Sequence, residues 1–473
     1  MFVQQFFVEG LGHASYLIGS DQTREAALVD PNRDVTVYLE AARAAGLRIS
    51  HILETHVHND FLSGAKAIAD RIGATYVASA DAGLRFPYWA VSEGDEIRIG
   101  ELIVRVLSTP GHTPEHVSYL VTDTSRATEP VLVFSGGDLL VGSVGRPDLL
   151  GRELGEQLAP KLYDSLFGKL LKLEDYVEVL PTHGAGSLCG RAISSKRTTT
   201  VGYERRFNVF LQHTKKADFV DFVLEGNPNV PAYYRRMRPG NLDGADAFVA
   251  PAARPMRLDE VHHALGHGSL IVDARDPLAF GAGHIPGAYN VGLGAMFATW
   301  VGVLLPADVP LILVLEREDQ WTEAVTALGR IGYENVAGYL LGGMASWIEA
   351  SYPVEAVEQV SASELAKRLQ GDHPPRLVDV RLPGEWEQGG VAAGTRIALH
   401  ELPDHLAGLD LGQPLTVVCA TGYRASIAAS ILQRAGAARV ATLMGGTTAW
   451  TAAGRALTPY SVESREPALA AIG

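Results

Sequence analysis

Two histidines and an aspartate leave one apolar run together: His51-Ile52-Leu53-Glu54 is followed directly by Thr55-His56-Val57-His58-Asn59-Asp60. Imidazoles and carboxylates gathered at a strand end are the usual donors for a divalent transition metal. Three later segments repeat the arrangement. Thr109-Pro110-Gly111-His112-Thr113 follows LIVRVLS, Gly136-Gly137-Asp138 follows VLVF, and Leu180-Pro181-Thr182-His183 closes the series. One loop histidine is ordinary; four strand ends in order, each delivering a ligand type, predict a metal centre. A second chemistry starts at Cys419, which ends the run LTVV and opens the loop Cys419-Ala420-Thr421-Gly422-Tyr423-Arg424 ahead of SIAASILQRAG. The apolar spacing of that segment predicts a helix, and a thiol at a helix N-terminus ionises easily because backbone N–H groups and the positive helix end favour the anion. Arg424 adds a fixed positive charge. The other cysteine, Cys189, lies in the Gly-rich loop GAGSLCG six positions after His183, where it is either a packed loop thiol or a sulfur acceptor beside the metal.

These residues need rigid strands behind them. From residue 1 to about 200, short β-branched runs (ASYLIG, AALVD, HILET, TYVAS, HVSYLV) alternate with helical patterns such as VTVYLEAARAAGL and GAKAIADRIG, which predicts an α/β domain. A stretch rich in Pro, Gly and Ala from about 230 to 256 reads as connecting chain, with the linker proper at 241–256. Beyond it the sequence repeats at a spacing of roughly one hundred residues, the size of a small domain. LIVDARDPLAFGAGHIPGAYNV parallels RLVDVRLPGEWEQGGVAAGTRI, PLILVL parallels PLTVVC, and YLLGGMASW parallels TLMGGTTAW. The expected organisation is therefore a domain over 1–240 and two copies of one α/β module over 257–356 and 357–473.

Composition narrows the partners. With 473 residues, 47% hydrophobic and 20% charged, the chain has ample apolar surface for several cores. A net charge of -14 works against nucleic acid and anionic membranes as partners. Two distant cysteines suggest no disulfide framework and fit a reducing cytoplasm. The N-terminal MFVQQFFVEG reads as a first strand and not a signal peptide, and the most apolar later stretch is broken by Pro306, Asp308 and Pro310, so no membrane span is expected.

The ordered histidine and aspartate motifs resemble the metallo-β-lactamase fold over roughly residues 1–240, which implies a four-layer αββα sandwich with metal at one sheet edge. The hydrolases of that fold carry His-x-His-x-Asp-His, whereas this chain has Phe61 in the last position. A two-metal thioester hydrolase of the glyoxalase II type, the alternative reading, would lose a ligand of its second ion, so mononuclear chemistry is favoured over zinc hydrolysis. Within the fold the chain resembles persulfide dioxygenases. That resemblance implies one Fe(II) per chain held by His56, His112 and Asp138, with His58, Asp60 and His183 supporting those ligands from behind. The substrates implied are O2 and the persulfide of a low-molecular-weight thiol, and the products are sulfite and thiol. Gly145-Arg146-Pro147-Asp148 resembles the family's Gly-Arg-x-Asp segment, which makes Arg146 the anchor for the thiol's carboxylate. Gly184-Ala185-Gly186-Ser187 departs from the His-Asp-Tyr pattern of glutathione-using relatives, leaving glutathione, coenzyme A and other bacterial thiols open.

The Cys-x-x-x-x-Arg loop, with Asp379-Val380-Arg381 before it and Gly445-Gly446 and Trp450 after it, resembles active rhodaneses. The resemblance implies a Cys419 persulfide cradled by Ala420, Thr421, Gly422 and Tyr423, exchanging sulfur with sulfite or thiosulfate. The first copy has Leu315 in place of the cysteine, followed by Glu316-Arg317-Glu318-Asp319-Gln320, so it is expected to be inactive and kept for packing, orientation or oligomer contacts. In the second copy Gly390 stands where the family has a histidine. Together the motifs resemble a persulfide dioxygenase fused to two rhodanese-type modules, implying a homo-oligomeric enzyme of sulfide oxidation.

Overall fold

The computed structural model describes residues 1–460. Contact density divides the chain into two compact units, Met1–Ala250 with Thr326–Tyr333, and the remainder from Pro251 onward. The expected end of the last module, 461–473, lies outside the described residues.

In the first unit, alternation along each strand sorts side chains into layers. One six-stranded sheet runs in the order Phe2–Val8, His13–Gly19, Glu25–Val29, Arg48–Leu53, Thr75–Ser79, Trp89–Val91. The other runs Thr199–Thr200, Glu178–Pro181, Leu132–Gly136, Val117–Asp123, Leu102–Ser108, Glu96–Ile99. Tyr16, Ile18, Val29, Leu53 and Val77 of the first face Val104, Val106, Tyr119, Val121 and Phe134 of the second in one buried core. The opposite faces carry helices: Leu17, Leu28 and Ile52 pack under Tyr38 and Ile68, while Leu120 and Val133 pack under Leu162, Leu166, Phe219 and Val223. This is the expected αββα sandwich.

The second unit holds two five-stranded parallel sheets of identical order. One is Pro255–Met256, Val336–Leu340, Leu311–Val314, Leu270–Asp273, Tyr289–Asn290; the other is Glu358–Val360, Val440–Leu443, Leu415–Val418, Arg376–Asp379, Thr395–Arg396. The sequence repeat is thus a structural repeat. Among the described residues, no helix is long and apolar enough to cross a membrane.

One stretch differs from its sequence reading. The Pro- and Gly-rich segment after residue 230 contains the helix Tyr234–Asp243, which runs three residues into the expected linker. Its buried Tyr234, Met237 and Asn241 recur at helical spacing, and Asn241 is spent on the metal loop: its amide donates to the carbonyls of His58 and Phe61 and accepts from Ser63 N–H. Buried polar side chains hid an amphipathic pattern that only apolar residues would have announced.

Candidate functional site

The four motif-bearing strand ends meet at one edge of the sandwich, and every histidine they deliver is buried. His56 and His112 have ring centroids 5.0 Å apart, and His183 lies 5.4 Å from each. Donor atoms of His56, His58 and His183 converge within 4.8 Å of one another, as do those of His112, His183 and Cys189. His183 and Cys189 therefore belong to the same cavity as the expected ligands; Asp138 reaches it by accepting the His112 backbone N–H at 3.0 Å.

His56 and His112 are each oriented by what they bond on the far side of the ring. His56 Nδ1 donates to Thr55 Oγ1 at 2.8 Å, and that hydroxyl donates to Asp30 Oδ2, also at 2.8 Å. His112 Nδ1 donates to the Arg146 carbonyl at 2.9 Å. Both arrangements leave Nε2 as an unprotonated lone pair, the form that binds metal. Burial, followed by the neighbouring imidazoles, holds both rings well below the ordinary histidine range and so keeps them neutral. His116 is different: its Nε2 accepts the Gly137 N–H at 2.9 Å, so its lone pair is used and it acts as a wall. Gly136 makes that contact fit, since at φ +55° a Cβ would lie 2.3 Å from His116 Nε2.

A cation fits the donor set. His112 Nε2 and Asp138 Oδ2 are buried with no hydrogen-bond partner, and His56 Nε2 faces His183 Nε2 at 3.4 Å. Burial drives the Asp138 carboxyl well above its ordinary range, a tendency that a bound cation reverses. The position next to Asp60 offers no such donor. Phe61 is fully buried there, stacked on His58 at 4.3 Å and tilted against His13 at 3.9 Å.

Residues behind the site escaped the sequence reading. Asp30, at a left-handed φ of +49°, accepts from the backbone and hydroxyl of Thr55 and from the Thr182 hydroxyl, tying two motif loops together. Its only sequence signal is a carboxylate ending the run AALV. Glu54 lies 3.4 Å from His58, and burial with Asp30 nearby pushes its carboxyl up to about 8. Glu115 pairs bidentately with Arg238 of the helix Tyr234–Asp243. Arg146 is buried with its guanidinium committed to both oxygens of Asp148 at 2.7 Å and to the Pro228 carbonyl at 2.6 Å. It lines, with Asn59, Arg152, Tyr234, Arg235 and Arg238, a cleft of about 750 Å³.

The thiol site is equally closed. Cys419 is fully buried, and its Sγ accepts the N–H groups of Gly422 at 3.0 Å and Ala425 at 3.4 Å. The loop is held from above by Thr447 and Thr448, whose N–H groups donate to the carbonyls of Cys419 and Ala420. That approach requires glycine at 446, where a Cβ would sit 2.2 Å from the Cys419 carbonyl oxygen. Arg424 is locked by Glu385 at 2.6 and 2.7 Å, a partner the sequence reading missed. Asp379 accepts from Arg381, which also donates to the Gly389 carbonyl.

Comparison with known proteins agrees with the fold of both parts of the chain. The metallo-β-lactamase superfamily pattern matches residues 8–127, and the rhodanese-like domain pattern matches 257–350 and 361–453. The mitochondrial persulfide dioxygenase ETHE1 of Bos taurus is 30% identical over 224 residues, 45% of this chain and 82% of that protein. The chain belongs to the persulfide dioxygenase family and carries two rhodanese-like domains. Human ETHE1 is 28% identical over 220 residues, covering 82% of its length. A crystal structure titled metallo-β-lactamase from Staphylococcus aureus subsp. aureus COL is 33% identical, covers 72% of this chain and 98% of its own, and superposes with a TM-score of 0.65. The match to the bovine relative covers 45% of this chain, and the two rhodanese-like matches together cover a separate stretch from residue 257 to 453.

Proposed function

We propose that the chain is a non-haem Fe(II) persulfide dioxygenase that carries its own thiosulfate sulfurtransferase. The observation behind this reading is the unsatisfied donor set, His112 Nε2 and Asp138 Oδ2 beside His56, with Phe61 where a second ion would need an imidazole. His56, His112 and Asp138 would hold one Fe(II), which when bound supplies the redox chemistry that joins O2 to a persulfide sulfur. The protein's residues do the rest. Thr55 and Asp30 aim His56, and the Arg146 carbonyl aims His112. Asp60, 3.4 Å from His183, and Glu54 and Asp30 beside His58, brace the outer imidazoles. The arginine-lined cleft next to Asn59 admits the carboxylate or phosphate groups of a thiol such as glutathione or coenzyme A, with Arg146 and Asp148 fixing its wall. Cys189, whose sulfur shares the cavity with His112 and His183, would relay sulfane sulfur in this reading.

In the balanced reaction one persulfide RSSH, one O2 and one water give RSH, sulfite and two protons. A Cys419 persulfide passes its outer sulfur to sulfite, releasing the Cys419 thiolate and thiosulfate; Gly422 and Ala425 N–H groups stabilise that thiolate. The deciding experiment is O2 uptake by anaerobically iron-loaded protein given glutathione persulfide or coenzyme A persulfide, with metal measured on the same sample. Uptake proportional to one iron per chain with sulfite appearing is expected. Oxygen-independent thioester cleavage by zinc-bound protein would replace this reading with hydrolysis. His112→Ala should reduce O2 uptake by about 1,000-fold or more while leaving thiosulfate sulfurtransfer intact, because the thiol site uses none of these residues.

A further inference from the structure

The helix Tyr423–Arg434 begins in the Cys419 loop, yet along its length it is bonded to the Cys-less module. At its start the Tyr423 hydroxyl donates to the Gly292 carbonyl at 2.8 Å, and one turn on the Ser426 hydroxyl donates to Asn290 Oδ1 at 2.5 Å. Asn290 is buried and its orientation is fixed, because its amide nitrogen donates to the carbonyls of Asp273 and Arg275, each at 3.0 Å. Arg275 is itself clamped to Asp273 at 2.6 Å and to the Gly283 carbonyl at 2.8 Å. Gly292 is fitted to the Tyr423 ring: a Cβ there would approach Tyr423 Cε2 to 3.3 Å and the Arg275 carbonyl oxygen to 3.2 Å. At the far end Arg434 lies over the Tyr289 ring, 4.2 Å from its centroid, and donates to the Gly287 carbonyl.

The same helix turn that Tyr423 and Ser426 anchor also presents the Gly422 and Ala425 N–H groups to Cys419 Sγ. We propose that the Cys-less module is the template for the sulfur cradle: Gly292 and Asn290 set the height and rotation of the catalytic helix, and Tyr423 and Ser426 are the positioning residues that read them. The strand end Asp273-x-Arg275 is retained in a module without a thiol because it holds Asn290. Two hydrogen bonds of a buried turn thereby decide whether two N–H groups point at sulfur, a distance-sensitive contact. Besides the loop's own amides, the charged groups facing the cradle are Arg424, paired with Glu385, and Asp379, paired with Arg381. None of these is altered by the substitutions below.

This inference rests on Cys419 being the sulfur-carrying thiol. Its test is thiosulfate sulfurtransfer by full-length protein, with kcat and KM determined separately, beside thermal melts of the same variants. Tyr423→Phe and Asn290→Ala should each lower kcat for sulfur transfer about tenfold, a cost of about 1.4 kcal/mol, with KM for thiosulfate within twofold of the parent, while O2 uptake by iron-loaded protein is kept. Ser426→Thr, which retains a hydroxyl, should restore most of what Ser426→Ala loses. If both Tyr423→Phe and Asn290→Ala lower thermal stability but leave kcat within twofold of the parent, the module is a structural neighbour only and the inference is wrong. Cys419→Ser separates the two readings: retained sulfur transfer there overturns the assignment of Cys419 itself, whatever the other variants show.

Discussion

At the end of Leu311–Val314 the chain places Leu315, and at the end of Leu415–Val418 it places Cys419, on central strands of two sheets with the same order. Both modules keep the Asp-x-Arg clamp, with Arg275 and Arg381 each donating to the carbonyl of a glycine eight positions on. What differs is how the loop beyond the central strand is occupied. In the second module backbone N–H groups converge on a sulfur. In the first, the Glu318 carboxylate accepts the Gly342 N–H and the Tyr339 hydroxyl, each at 3.2 Å, so the loop supplies its own anion. The pair shows one sheet and one clamp carrying two different loops, drawn around a sulfur in one module and around a carboxylate in the other.

The largest effect expected on this contrast comes from Cys419→Ser, which should lower sulfur transfer about 1,000-fold or more with O2 uptake unchanged, measured as thiosulfate formed from sulfite and a persulfide donor. Next is a matched pair in the Gly-Gly turns. Gly446 and Gly343 have the same backbone, φ +57° and +56°, but a Cβ would meet the Cys419 carbonyl oxygen at 2.2 Å in one and the Leu315 carbonyl oxygen at 3.5 Å in the other. Gly446→Ala should cost about 2–4 kcal/mol of module stability and Gly343→Ala about 1 kcal/mol, read by denaturant unfolding. Equal costs would show that the two loops are equally loose. A smaller effect follows from acid. Burial is the largest influence on Glu385 and raises it, but Arg424, the Leu382 N–H and Arg381 together hold it below the ordinary glutamate value of 4.5. A group lowered on folding contributes stability above its unfolded value and loses it as pH falls through the folded one, so the Arg424 brace should fail only below about pH 4.5. Glu385→Gln should abolish that part of the acid dependence in thermal melts. The smallest effect is a null: Leu315→Cys should give no sulfur transfer by the first module when Cys419 is Ser, because Glu318 already occupies the turn.

Much of this was legible in the sequence because each motif follows its strand directly. His56, His112, Asp138 and His183 are found by reading what comes after HILE, LIVRVLS, VLVF and EVLP, and the repeat is found by matching Asp-x-Arg with Asp-x-Arg. What stayed hidden are partners joined only by folding. Asp30 meets Thr182 from 152 positions away, Glu385 meets Arg424 from 39, and no periodicity links them. The position of Arg146 was legible but its partners were not, since Asp148 and the Pro228 carbonyl occupy the guanidinium expected to face solvent or substrate. Gly390 belongs to the same class. Its departure from the family histidine makes sense only with Tyr460, whose hydroxyl would lie 2.0 Å from a Cβ at 390 and which donates to Asp379 at 2.7 Å.

That substitution changes the timing of assembly. In the first module the corresponding His284 is built in, donating to the Phe280 carbonyl four residues earlier, so its clamp can close as soon as that stretch has been synthesised. In the second, Asp379 waits for a tyrosine translated 81 residues later. A nascent chain, or one nicked after Trp450, would therefore hold a finished αββα domain and a finished first module while the module bearing Cys419 still lacked its last brace.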